Sequence, residues 1–404
     1  MTFTIQRLGH QGDGIAEGPV FAPRTLPGEE IEGELVGNRI AVPKIVTPSA
    51  MRVAPPCRHY KSCGGCALQH ASDAFVADWK QDVVRTALAA QGIEADLRKT
   101  LTSAPRSRRR ADFTGRRTKK GALVGFHARG TDTITEIPDC HLLHPDLLAV
   151  IPALQALTIF GTSRKGEVRF TTSRSDAGID VAVTGAKPLD GKMLMTLASM
   201  AGEFGLARLT WDGEPIVDIS APYQMFGDVR VVPPAGAFLQ ATKEGENALI
   251  FAVLETVLGA KVVLDLFAGC GTFALPIAAS AEVHAVEDND AMLKALDLGW
   301  RQATGLKRVT TETRDLFRRP LLPDEIKRFD AVVIDPPRAG AAQQISELAR
   351  AKPAKIAAVS CNPVSFAQDA KTLTDSGYQL GEVTVIDQFR WSTHIEMVAA
   401  FTLK

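Results

Sequence analysis

Two short segments near the C-terminus hold residues able to make and break covalent bonds. Ser360-Cys361-Asn362-Pro363 ends one apolar run, and His394-Ile395-Glu396 opens another. A cysteine at the end of a buried strand is a candidate nucleophile, because its thiolate attacks electron-poor carbon. The plainer reading is a small residue finishing a strand, and for an isolated cysteine that reading would stand. Glu396 heads a stretch that is otherwise apolar, from Met397 to Phe401. A carboxylate there is costly without a partner or a task. It is a candidate general base, with an exposed edge-strand acid as the bland alternative.

A second group of residues has the types and spacing of a ligand site. Val262 to Thr272 reads as a strand turning sharply into a helix, with Gly269 and Gly271 at the turn. Glycines there let the backbone approach a ligand without a Cβ in the way. Glu287 closes the next apolar run, where a carboxylate can accept hydrogen bonds from both ribose hydroxyls. Gly269, Gly271 and Ala274 also fit the Gly-x-Gly-x-x-Ala form of a dinucleotide site. That fingerprint cups a pyrophosphate, however, and Asp265 just before the loop disfavours phosphate. A carboxylate here suits the sulfonium and amine of S-adenosylmethionine, although a turn or capping acid is the simpler role. Asp335-Pro336-Pro337-Arg338 follows a further apolar run, and its prolines make a stiff, extended loop.

The cysteines are the third group. Cys57, Cys63 and Cys66 lie within ten residues, with Cys140 far along the chain. Four thiols suffice for a tetrahedral metal or an iron–sulfur cluster. Close to them, residues 98–120 hold ten Lys or Arg against one acid, Asp112. Such a run is either a strip that contacts phosphates or a solvated basic loop.

These residues need elements to hold them. The chain has 404 residues, 45% of them hydrophobic and 23% charged, with zero formal net charge. That predicts two or three globular domains. No apolar run is long enough to span a bilayer, and Met1 to His10 lacks an export signal. We expect a cytoplasmic monomer. Residues 1–50 alternate short apolar stretches with Gly and Pro turns, the pattern of a small β-barrel. Residues 51–235 mix a helix at 74–90, strands at 123–126, 167–172, 179–183 and 206–211, and helices near 145–158 and 191–204. They predict an α+β central domain. From 236 to 404, continuous apolar runs at 262–267, 282–287, 330–335 and 356–361 alternate with helices at 289–303, 341–351 and 365–376. This predicts a doubly wound α/β, Rossmann-like parallel sheet. The runs at 380–389 and 395–403 are joined by too short a turn for a crossover, so they form a C-terminal antiparallel hairpin. A sheet ending this way is the usual one of methyltransferases that use S-adenosylmethionine.

Asp-Leu-Phe-Ala-Gly-Cys-Gly-Thr-Phe, Asp-Pro-Pro-Arg-Ala-Gly, Ser-Cys-Asn-Pro and His-Ile-Glu, in this order, resemble the RNA uridine-carbon-5 methyltransferase family. The chemistry agrees. Carbon 5 of uracil becomes nucleophilic only after a thiolate adds to carbon 6, and a base must later remove the carbon-5 proton. The resemblance implies Cys361 as nucleophile and Glu396 as base. It implies Gln240, Phe267, Thr272, Glu287, Asp315 and Asp335 as contacts to S-adenosylmethionine. The family usually carries Phe-x-Gln-x-Asn; here Phe238-Leu239-Gln240-Ala241-Thr242 lacks the Asn. In the branch with this cysteine spacing, the thiols hold a [4Fe–4S] cluster, which implies Cys57, Cys63, Cys66 and Cys140 as ligands; zinc is the chemical alternative. Residues 1–50 resemble a short TRAM module, an OB-like barrel. RNA is the expected partner, 23S rRNA ahead of tRNA, with the basic strip at residues 105–120 on the phosphates. Two other classes compete. A NAD-dependent iron–sulfur oxidoreductase would bind NAD without needing Cys361. A non-catalytic RNA-binding protein would be indifferent to Cys361 and Glu396.

Overall fold

A computed structural model describes residues 1–164 and 166–403. Lys404, the last residue of the expected C-terminal domain, lies outside them. The chain opens with β1 (Thr2–Leu8), β2 (Asp13–Ala16), β3 (Val20–Pro23), β4 (Glu30–Glu32) and β5 (Lys44–Thr47). They form one antiparallel sheet in the order β3-β2-β1-β4-β5, around Ile5, Val20, Ile31 and Ile40. Then come α1 (Asp73–Ala89), β6 (Leu97–Thr102), β7 (Arg110–Arg117), β8 (Ala122–His127) and β9 (Ile134–Glu136). After α2 (Pro145–Ala149) and α3 (Ile151–Gly161) follow β10 (Glu167–Ser175), β11 (Gly178–Thr184), α4 (Gly191–Glu203), β12 (Leu206–Trp211) and β13 (Glu214–Asp218). Seven of these strands make a second sheet, β13-β12-β11-β10-β7-β8-β9. The helix expected near 145–158 is two helices, because Pro152 enters at the start of α3 and Val150 serves as its cap.

A small hairpin, β14 (Gln224–Phe226) and β15 (Val229–Val231), leads to α5 (Lys243–Val257). The last unit runs β16 (Val262–Leu266), α6 (Ala274–Ile277), β17 (Glu282–Glu287), α7 (Asp290–Gln302), β18 (Val309–Thr313), α8 (Pro323–Ile326), β19 (Ala331–Ile334), α9 (Ala342–Ala351), β20 (Lys355–Ser360), α10 (Pro363–Asp375), β21 (Tyr378–Asp387) and β22 (Glu396–Leu403). The sheet order is β18-β17-β16-β19-β20-β22-β21-β6. The first five strands are parallel, and β22 is antiparallel to both β20 and β21. Successive residues feed opposite faces: Leu264, Val332 and Ile356 pack with α1, α9 and α10, whereas Val263, Val333 and Ala357 pack with α5, α6 and α7.

Sequence and structure differ at β6. Placed in the central unit by sequence, it pairs in parallel with β21 and becomes the eighth strand of the C-terminal sheet. The hairpin leaves β21 as an open edge, and β6 with α1 covers it. Being an edge strand with one exposed face, Leu-Arg-Lys-Thr-Leu-Thr carries no continuous apolar run.

Candidate active site

Parallel strands β16 to β20 present their carboxyl ends at one edge, where doubly wound sheets bind ligands. Glu287 ends β17, Asp335 follows β19 and Cys361 follows β20. Because β22 runs the other way, its first residue, Glu396, reaches the same edge. Register makes this definite: Ser360 pairs with Met397, and Ile386 with Glu396. Nucleophile and base candidates, 35 residues apart in sequence, therefore sit at neighbouring strand ends.

All of them open on one cavity of about 1060 Å³. Its wall includes Gln240, Phe267, Glu287, Asp315, Asp335, Cys361 and Glu396. Thr272 is not on that wall. Asp265 is also absent from it: fully buried below the loop, its carboxyl oxygens have no side-chain partner. Expected near the ligand from its place just before the loop, Asp265 is buried and is not among the residues lining the cavity. Burial first, then Asp335, holds its carboxyl well above the usual range.

The loop after β16 is bent to serve the cavity. Phe267 has φ 62°, and Gly269 and Gly271 have φ 56° and 94°. Gly271 admits no side chain, since a Cβ would meet Leu296 Cγ at 2.8 Å. Glu287 Oε2 accepts the Gly269 N–H at 3.1 Å, and Oε1 accepts the Asn289 N–H at 3.1 Å. Phe267 stacks obliquely on Phe317, with centroids 5.5 Å apart. Glu287, Asp288, Asp315 and Asp335 line this side with Phe267 and Met292. Such an acidic wall repels a pyrophosphate and suits a cation with an apolar body, which fits S-adenosylmethionine and weighs against a dinucleotide.

Charge is held back at the reacting edge. Burial, then Asp335, pushes Glu396 up to about 8, while the Gln388 amide draws it down. Burial raises Asp335 to about 7. Cys361 rises to about 11, from burial and then the acids Glu396 and Asp335, with Arg338 opposing. In the free chain the thiol thus keeps its proton at neutral pH.

The four cysteines come from distant segments to one region. Cys57 and Cys140 are buried, Cys63 and Cys66 partly so, and all are free thiols. Cys66 is pushed up to about 12 by burial and by the other three thiols. Backbone N–H groups of Gly65 and Leu142 donate to the sulfurs of Cys63 and Cys140 at 3.4 Å. Among the described residues, no three His, Cys, Asp or Glu side chains are gathered closely enough to hold one metal ion. The all-sulfur donor set is one that either a four-iron cluster or zinc accepts.

The basic run does not form one strip. Arg98 pairs with Glu255 and Glu382 on the sheet edge, Arg116 with Glu167, and buried Arg109 with Glu246. What remains at the cavity mouth is Arg108 over the Phe389 ring, at 5.8 Å, and Arg110 over exposed Phe238, at 5.5 Å. Arg129 and Gln11 bring the N-terminal sheet to the same rim. Phe238 and Arg338 stand in the sequence motifs without an assigned role, and Gln388 and Phe389 lie outside any motif.

A family model described as tRNA (Uracil-5-)-methyltransferase matches residues 234–402. A protein named as an RNA methyltransferase in Rhizobium meliloti is 45% identical, covering 98% of each chain. The 23S rRNA (uracil(1939)-C(5))-methyltransferase RlmD of Shewanella piezotolerans is 31% identical, covering 100% of this chain and 96% of its own. In fold, the chain matches the crystal structure of Pyrococcus abyssi tRNA (uracil-54, C5)-methyltransferase in complex with S-adenosyl-L-homocysteine. The TM-score is 0.77 at 23% identity, covering 100% of this chain and 99% of that one.

Proposed function

Because the chain belongs to the RNA uracil-5-methyltransferase family and is an S-adenosylmethionine-dependent RNA methyltransferase, we propose that it methylates carbon 5 of a uridine in 23S rRNA, with Cys361 as covalent nucleophile and Glu396 as general base. The observation that carries this reading is the meeting of Cys361 and Glu396, from β20 and β22, on one cavity wall with Asp335 and Gln240. S-adenosylmethionine supplies an electrophilic methyl carbon. The Cys361 thiolate adds to carbon 6, and the electron pair of the ring double bond moves toward carbon 5. Carbon 5 takes the methyl group as the methyl–sulfur bond breaks and its electron pair stays on the sulfur of the departing S-adenosylhomocysteine. Glu396 then removes the carbon-5 proton, the double bond re-forms, and the carbon–sulfur bond breaks to return the thiolate.

Electrostatics times these steps. Burial, and then the acids Glu396 and Asp335, keep the thiol protonated in the free chain. A positive charge bound against Asp335 relieves that pressure, so the thiolate forms once the methyl donor is in place. The target uridine leaves its stack to reach this depth. Arg108 and Arg110, each backed by an aromatic ring, and the N-terminal sheet supply RNA contacts at the rim. Cys57, Cys63, Cys66 and Cys140 hold a [4Fe–4S] cluster with a structural role. Similarity to RlmD over the full chain and this cysteine set favour ribosomal RNA.

The test uses S-adenosylmethionine labelled in its methyl group, with 23S transcript and tRNA offered separately. We expect 5-methyluridine in the 23S transcript, and a loss of about a thousandfold or more in Cys361→Ala with RNA binding kept. Glu396→Gln should accumulate a protein–RNA adduct on a denaturing gel. Label confined to tRNA would reassign the substrate. Undiminished 5-methyluridine from Cys361→Ala would reject the covalent route.

A further inference from the structure

One buried amide beside the site has no part in the scheme above. Gln388 follows the last residue of β21, is 1% exposed and does not line the cavity. Its Oε1 accepts the Ala241 N–H at 2.7 Å. That bond decides which end of the amide is nitrogen. The NH2 group then donates to two acceptors, Gln240 Oε1 at 2.6 Å and Glu396 Oε2 at 3.1 Å.

Two orientations follow from this one group. With its oxygen engaged, Gln240 turns its own NH2 group to the cavity it lines, and that nitrogen has no acceptor among the described residues. The backbone of Gln240 is held as well. Arg109 donates to its carbonyl from Nε at 3.1 Å and from its backbone N–H to the Ala241 carbonyl at 2.9 Å, and is itself fixed by Glu246. Glu396 has Oε2 tied by Gln388, which is its one donor among the described residues. Oε1 is left for whatever enters the cavity.

We propose that Gln388 is a positioning residue: it commits Gln240 to donate into the cavity and aims Glu396 Oε1 at the proton to be removed. The proposal rests on the uridine reading above. Around Glu396 stand Asp335 after β19, Cys361 after β20, Arg338 in the Pro-Pro-Arg loop and His394 on its own turn. Asp335 disfavours the ionised form of Glu396, whereas the N–H of Gln388 favours it. Removing that N–H therefore makes Glu396 a carboxylate only at higher pH.

Gln388→Met keeps the length and apolar stem but removes both donors and the acceptor. Gln388→Glu keeps an acceptor for Ala241 and replaces the donors by a like charge. We expect both to bind RNA with a near-normal KM. The acid limb of the kcat–pH profile should move up by about one unit in Gln388→Met and further in Gln388→Glu. At pH 7 kcat should fall about tenfold, with covalent adduct enriched. A residue of purely structural importance would lower thermal stability without moving the limb. Two failures are separable. Should the wild type make no 5-methyluridine, or Glu396→Gln turn over normally, the uridine reading falls. Should the wild type methylate uridine through Glu396 while the folded Gln388 variants keep its limb and rate, this proposal alone is overturned.

Discussion

Single groups at this site work against the stability of the free chain. Asp335 and Glu396 sit at about 7 and 8 once folded, well above an unfolded carboxylate. The folded state thus binds more protons than the unfolded one across that interval. Their favourable contribution is complete below the ordinary carboxylate range and is lost as pH rises through 7 to 8. We predict that the urea midpoint of the ligand-free protein falls between pH 6 and pH 9. Asp335→Asn should flatten that fall, raise stability at pH 8 by about 1 kcal/mol or more, and weaken S-adenosylhomocysteine binding at least tenfold. A midpoint that ignores pH in the wild type would remove the electrostatic account.

At the scale of elements, the C-terminal hairpin owes its shape to a helix from another part of the chain. Lys80 on α1 is fully buried and gives its three protons to Asp387 Oδ1 at 2.6 Å, His394 O at 2.7 Å and Phe389 O at 3.3 Å. It therefore closes the neck of the turn between β21 and β22. Asp73, in the first turn of α1, takes Arg390 and the Trp391 indole. Lys80→Met alone strands a buried carboxylate and should cost about 3–5 kcal/mol in denaturant unfolding. Lys80→Met with Asp387→Leu should recover most of that, since an apolar pair replaces the ion pair, yet the turn loses its carbonyl ties and activity stays low. Recovery of stability and activity together would show that the ties do not matter.

Across the whole molecule, the cysteine segment and the hairpin meet. The amides of Ala67 and Leu68, next to Cys66, both donate to Trp391 O, at 2.8 and 2.9 Å. The Gly64 amide donates to His127 O on β8 at 3.0 Å. Whatever gathers the four thiols also steadies the turn before Glu396. Cys140→Ser should lower bound iron in anaerobically purified protein. It should also speed hydrogen exchange at Ala67 and Leu68 by about tenfold or more, even with no RNA present. Full iron and unchanged exchange in that variant would break the link.

Much of this was legible in the sequence because local pattern and buried position coincide there. Continuous apolar runs marked β16, β17, β19 and β20, and a parallel sheet puts their carboxyl ends together, so Glu287, Asp335 and Cys361 could be placed from spacing alone. The hairpin was legible for a similar reason: a turn too short for a helix forces β22 to run backwards and carry Glu396 to the same edge. What sequence did not reveal depends on partners far apart in the chain. The basic strip at residues 105–120 was expected on phosphates, but folding spends Arg109 and Arg116 on acids that no local pattern connects to them. Gln388 and Lys80 carried no motif, because an amide or an ammonium acquires its role only when the tertiary structure sets acceptors around it. The residue types fixed which chemistry was available; three-dimensional packing decided which protons are held, and by what.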